Sequence, residues 1–233
     1  MRLEDLKVLF EDNHLIAVNK PAGILTQPDE TGDECLADLV KAYIRLRYDK
    51  PGDAFLGTVH RIDRPVSGVV IFARTSKATV RMNELFASRA MTKVYWAIVQ
   101  PRPLLEEATL EHYLLKDPAK NITKAYDQPS RRNEGSKLSS LSYSILSDIG
   151  KHCLLEVVPT TGRSHQIRAQ LAKIGCPIKG DVKYGAVEPL RDASICLHAR
   201  RLSFMHPVKQ EPVVIEAALP RTQAWQIFHN VEQ

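Results

Sequence analysis

The sequence predicts an α+β fold, a mixed and largely antiparallel sheet with helices packed on it. Three observations predict it. Apolar residues recur at helical spacing in separate segments along the chain. Runs rich in β-branched and aromatic residues, with turn residues between them, fill the stretch from Lys93 to Pro159. Strands adjacent in sequence usually pair, which makes that stretch antiparallel. The chain has 233 residues, of which 44% are hydrophobic, enough for a substantial core. No repeat, low-complexity stretch or linker divides it, so one domain over 1–233 is expected.

Taken in order, Leu15-Ile16-Ala17-Val18 reads as a short strand, broken by the turn signal Lys20-Pro21-Ala22-Gly23. Residues 34–48 place Leu36, Leu39, Val40, Tyr43 and Ile44 at helical spacing. Val69 to Ala73 is a continuous apolar run, the mark of a buried strand. Thr75 or Ser76 then caps a helix carrying Val80, Leu85 and Phe86. Strands follow at Val94–Val99, Leu138–Leu146 and Cys153–Val158. The polar, basic residues 116–137 read as a long exposed loop, a length that is often functional. Ser164 opens a helix with Ile167, Leu171 and Ile174 on its apolar side and Gly175 as its stop, while His165 and Arg168 share another face. Strands near 195–205 and 213–219 and a terminal helix at 222–230 complete the chain.

Charge is unevenly distributed. Residues 61–102 carry eight basic residues against Asp63 and Glu84, whereas residues 1–34 carry three basic and eight acidic ones. A basic segment beside an acidic one suggests a polyanion-binding face and a back face. No apolar run approaches ~18–20 residues, and the charged N-terminus lacks the apolar core of a secretory signal, so a soluble cytoplasmic protein is expected. Cys35, Cys153, Cys176 and Cys196 form no Cys-x-x-Cys pair and sit among apolar or small residues, so reduced, buried thiols are expected.

The most unusual segment is His60-Arg61-Ile62-Asp63-Arg64-Pro65-Val66-Ser67-Gly68. It sets a carboxylate between two arginines just before a buried strand. Flanking guanidinium groups favour the ionised form, and a positioned carboxylate serves as nucleophile or base. A structural ion pair in a turn explains the same spacing. His-Arg-x-Asp also occurs in kinase catalytic loops, but neither a Gly-rich phosphate loop nor Asp-Phe-Gly accompanies it. No His-x-x-x-His pair points to a metal. A second constellation, Pro159-Thr160-Thr161-Gly162-Arg163-Ser164-His165-Gln166-Ile167-Arg168, feeds a Gly turn into a helix N-terminus crowded with donors. It suits an anion, or is a well-capped helix with solvated arginines.

These two segments resemble the signature motifs of the RluA-type pseudouridine synthases. Asn19-Lys20-Pro21-Ala22-Gly23, Lys93-Val94-Tyr95-Trp96-Ala97, Pro177-Ile178-Lys179-Gly180-Asp181 with Tyr184-Gly185, and Leu197-His198-Ala199 with Leu202, Phe204, His206 and Pro207 resemble the family's shorter motifs in order. The resemblance spans about residues 8 to 219. It implies an enzyme that detaches uracil from C1′, rotates it and rejoins it through C5, without cofactor or metal. It implies a catalytic set of Asp63, Tyr95 against the uracil, and Arg168 paired with the aspartate. Arg61, Arg163, His60 and Arg64 are implied as substrate-binding. The implied partner is tRNA or rRNA, and a monomer is expected. Arg74, Lys77 and Arg81 are further candidates for phosphate contact. Motifs starting by Asn19 suggest the short form, without the small RNA-binding domain that many members carry ahead of the catalytic one. Two rivals stand beside this reading: a non-catalytic RNA-binding protein on the same scaffold, and a hydrolase pairing Asp63 with Asp181.

Overall fold

The computed structural model describes residues 2–49 and 51–232. The chain forms two compact units. One runs through Lys93 and takes back Ala199–Pro220; the other holds Val94–His198 and the segment from Arg221.

In the first unit, β1 (Lys7–Glu11) and β2 (Leu15–Lys20) form an antiparallel pair, and β2 pairs antiparallel with β4 (Ser67–Ala73). The two-residue β3 (Gly57–Thr58) also pairs with β4. Strand β10 (Leu197–Met205) neighbours β4 and carries β11 (Pro212–Glu216) on it. Every residue of β4 is buried. That explains its unbroken apolar run: a strand covered on both faces has no polar side to alternate with. One face of β2 and β4, through Leu15, Ala17, Val69, Ile71 and Ala73, joins Met82, Phe204 and Ile215 in a single core.

Helix α1 (Leu36–Arg47) follows the expected stripe, burying Leu36, Leu39, Val40 and Ile44. Helix α2 (Ser76–Ala87) is capped by Thr75, whose hydroxyl accepts from the Ala78 N–H at 3.1 Å. Its inward residues are Ala78 and Met82, with Leu85 and Phe86 at the core edge, whereas Val80 is exposed. Gly68 opens β4 at φ 116°, and a Cβ there would lie 2.3 Å from the Ala199 carbonyl oxygen. Only glycine lets β10 approach this closely.

The second unit is an antiparallel sheet in the order β5-β9-β8-β6-β7, from β5 (Met91–Val99), β6 (Glu107–Asp117), β7 (Ile122–Tyr126), β8 (Lys137–Ile149) and β9 (His152–Pro159). Strands β5 and β10 each pass from one unit into the other.

The expected loop at 116–137 is corrected here. Residues 116–117 end β6, 122–126 form β7, and Arg131–Asn133 make a 3-10 turn whose buried Asn133 accepts from the Ser130 N–H and donates to the Gln128 carbonyl. Strand β7 is an edge strand with only Thr123 buried, so it leaves almost no apolar signature. Strand β6 buries Leu110, His112 and Leu114 in strict alternation, a period-2 pattern that the polar His112 at a buried position interrupts.

Helix α3 (Gln166–Lys173) starts two residues later than expected and is buried on more than its apolar side. Gln166, Arg168 and Gln170 are buried together with Ile167 and Leu171. The terminal segment is a short α4 (Gln223–Gln226) and a 3-10 turn, His229–Glu232. Cys35, Cys153, Cys176 and Cys196 are free and buried. Among the described residues no helix is long and apolar enough to cross a membrane.

Candidate active site

Asp63 lies half-buried on the loop that leads into β4. The loop is fixed on both sides of it. The Val66 N–H donates to the Asp63 carbonyl at 3.0 Å, closing a turn. The Ile62 carbonyl accepts the Thr26 hydroxyl at 3.0 Å. The Arg64 carbonyl accepts from the Gly23 N–H at 2.8 Å and from the Lys20 ammonium at 3.1 Å.

Lys20 is the organising residue of this half. It ends β2 with no solvent exposure, and its ammonium also donates to the carbonyls of Pro21 at 3.1 Å and Ile24 at 2.8 Å. Burial pushes it down to about 7, the Asp63 carboxylate opposes that shift, and Arg64 adds to it. A buried cation is tolerated only where paired and hydrogen-bonded; this one ties the 21–24 turn to the Asp63 loop. The sequence marks Lys20 only as part of a turn signal and of a family motif, not as a buried group. The available signal was a lysine ending a strand whose residues are apolar.

The neighbours of Asp63 also make contacts within the fold. The exposed Arg64 guanidinium donates through Nε to the Gly23 carbonyl at 2.8 Å and through Nη1 to Asp33 at 2.7 Å, so it braces the loop. His60 accepts the Ile71 N–H on Nε2 at 2.9 Å and stacks on Phe86 at 4.9 Å. Burial, helped by Lys93, pushes its imidazole down to about 4, so it is a neutral acceptor within the fold and that nitrogen is closed to RNA. Arg61 is exposed. Arg74 is also corrected. Its side chain is 9% exposed, binds Glu11 and the Asp12 carbonyl, and lies 4.5 Å from the Tyr48 ring. It staples β1 in place, while Lys77 and Arg81 are exposed.

In the second unit, Tyr95 is half-buried on β5 opposite Val157 of β9. The turn before α3 is closed by Gln166. Its Oε1 accepts from the Thr161 hydroxyl at 2.7 Å and the Arg163 N–H at 3.0 Å, and its Nε2 donates to the Ser140 carbonyl. Part of the donor cluster expected to hold an anion is therefore used internally; the Arg163 side chain is exposed. His165 holds a left-handed conformation, φ 52° and ψ 22°, uncommon for a residue with a side chain.

Arg168 is 5% exposed and donates through Nε and Nη2 to the two oxygens of Asp181 at 2.7 and 2.8 Å. A planar fork on a planar carboxylate fixes the guanidinium plane. This bears on the hydrolase rival: Asp181 is itself buried and spends both oxygens on Arg168, which leaves it unsuited to donate a proton. Among the described residues no group of three or more His, Cys, Asp or Glu side chains is placed to hold a metal ion.

Known proteins share this arrangement of sequence and fold. The family model for RNA pseudouridylate synthase matches residues 14–173. A tRNA pseudouridine synthase C of Vibrio cholerae is 34% identical, over 95% of this chain and 93% of its own. A ribosomal large subunit pseudouridine synthase C of Rickettsia prowazekii is 31% identical, over 91% of this chain and 68% of its own. The structure of human RNA pseudouridylate synthase domain containing 4 matches with a TM-score of 0.76 at 25% identity, covering 92% of this chain and 89% of that one. The chain belongs to the RNA pseudouridylate synthase family, of the RluA type, and is an isomerase that converts uridine to pseudouridine in RNA.

Proposed function

We propose that the protein isomerises one or more uridines of tRNA or rRNA with Asp63 as the catalytic carboxylate, Tyr95 against the uracil, and Arg168 as the cation that serves the carboxylate. The observation that carries the reading is the setting of Asp63: a half-buried carboxylate on a loop whose backbone is held by a buried lysine and three further hydrogen bonds. A surface ion pair needs no such scaffold; a group that must meet C1′ in one geometry does. Cleaving the glycosidic bond develops positive charge at C1′, and an adjacent carboxylate stabilises or traps that charge or removes the C2′ proton. Relatives bearing tRNA and ribosomal names support the substrate class.

The target must leave its stack to be reached, at a cost of a few kcal/mol. Exposed Arg61, Arg163, Lys77 and Arg81 supply phosphate contacts that offset this cost. The reaction needs no cofactor or metal, and a cytoplasmic monomer suffices for it.

The test is pseudouridine mapping of RNA from cells with and without the gene, complemented by wild type or Asp63→Asn. A site lost on deletion and restored only by wild type is expected, with a fall of about 10³-fold or more for purified Asp63→Asn. Near-normal turnover by that variant would sink the assignment. Unchanged RNA mass separates isomerisation from hydrolysis, which releases uracil.

A further inference from the structure

Asp181 and Tyr184 sit on one short turn. The Tyr184 and Ala186 N–H groups both donate to the Asp181 carbonyl, at 2.9 and 3.1 Å, and Gly185 closes the turn at φ 101°. Both side chains serve Arg168. Asp181 takes its Nε and Nη2 edge, and the Tyr184 ring faces the guanidinium with Cζ 4.9 Å from the ring centre. One side chain thus sets the in-plane direction of the guanidinium while the other limits its tilt.

The far end of the same tyrosine is anchored elsewhere. Its hydroxyl accepts the Thr123 N–H of β7 at 2.7 Å and lies 2.8 Å from His165 Nδ1. Burial pushes the phenol up, so it stays protonated; it accepts from Thr123 and shares a hydrogen bond with His165 Nδ1. The Thr123 hydroxyl in turn donates to the Ser164 carbonyl at 2.8 Å, and Lys183 reaches the Asn121 carbonyl at 3.4 Å. The β6–β7 hairpin so tethered exposes Lys116, Lys120 and Lys124. A cationic hairpin of this kind meets phosphate backbone. The left-handed His165 is held by this contact at the entrance to α3.

We propose that Tyr184 is a positioning residue for the isomerisation: its ring, with Asp181, sets the plane of Arg168, and its hydroxyl ties that setting to the basic β6–β7 hairpin. This rests on the reading of Arg168 as the cation that serves Asp63. RNA seated on the hairpin then bears on the guanidinium through one side chain.

The experiment uses the full chain in excess over RNA from a strain lacking the gene. It records the plateau rate of pseudouridine formation and the enzyme concentration at half-plateau. Tyr184→Phe keeps the ring and removes both hydroxyl contacts; its plateau rate should fall roughly 3- to 10-fold, with half-saturation within about 3-fold of wild type. Tyr184→Leu removes the ring as well and should lose roughly 10-fold more. A role confined to stability would lower the melting temperature and leave the plateau rate per folded molecule unchanged, which overturns the proposal. So does a change confined to half-saturation. Should Tyr184→Leu fail to fold, Tyr184→Phe alone decides. An active Asp63→Asn in the same assay would take both readings down. Impaired Asp63→Asn and Arg168→Lys beside wild-type plateaus for both Tyr184 variants would remove this proposal alone.

Discussion

Lys20 in the first unit and Arg168 in the second are both buried basic groups, and their hydrogen-bond partners differ in kind. Lys20 is surrounded by backbone: three carbonyls from Pro21, Ile24 and Arg64. Arg168 is engaged by side chains, the Asp181 carboxylate and the Tyr184 ring. The difference follows from the chemistry of the two groups. An ammonium is a compact charge with three rotatable donors and can gather carbonyls that point from several directions. A guanidinium is flat and is held in one plane by a carboxylate and an aromatic face. The first arrangement shapes a stretch of main chain; the second aims a side chain. Lys20 therefore builds the loop that presents Asp63, whereas Asp181 and Tyr184 orient a charge that is itself part of the proposed chemistry.

The largest effect is expected at Asp181. Asp181→Ala leaves the Arg168 charge buried without its carboxylate and should cost about 3–5 kcal/mol, read as a lower urea midpoint. A loss under 1 kcal/mol would mean that Arg168 finds water or another anion, and that the side-chain clamp is not needed. Lys20→Met removes the charge along with its bonds and orphans carbonyls rather than a cation. About 2–3 kcal/mol is expected, together with a fall in turnover from a loosened Asp63 loop. Full activity in that variant would separate the loop's shape from Lys20.

His60 provides a third, uncharged case. Its folded value of about 4 lies below the ordinary 6.5, so between these limits the unfolded chain holds more protons. Its contribution is complete above pH 6.5 and is lost as pH falls toward 4, on the order of 3 kcal/mol. His60→Gln should flatten that part of the stability profile; an unchanged slope would assign it to other groups. The smallest effect belongs to the α2 cap, where no buried charge is involved. Thr75→Ala should cost about 1 kcal/mol and leave turnover unchanged, a baseline against which the charge effects are measured by thermal unfolding.

Much of the molecule was legible where local periodicity and burial agree. The apolar run of β4, the stripe of α1 and the cap of α2 were all readable, because each depends on near neighbours in the chain. Strands β1, β6 and β7 were not. β7 is an edge strand with one buried residue, and β6 has a polar residue, His112, among its three buried positions. The motif around Asp63 marked the loop but not the contacts its neighbours make within the fold. His60 bonds to Ile71, and the exposed Arg64 to Gly23 and Asp33, partners fixed only by folding.

By itself the sequence determined the family, the helix and strand segments with strong periodicity, and the short list of residues able to do chemistry, since these rest on residue type and spacing. Tertiary structure alone decided which charges are buried and what satisfies them. Lys20 meets Arg64 across 44 residues and Tyr184 meets Thr123 across 61. A buried charge must find partners wherever the fold brings them, and no local pattern in the chain records that distance.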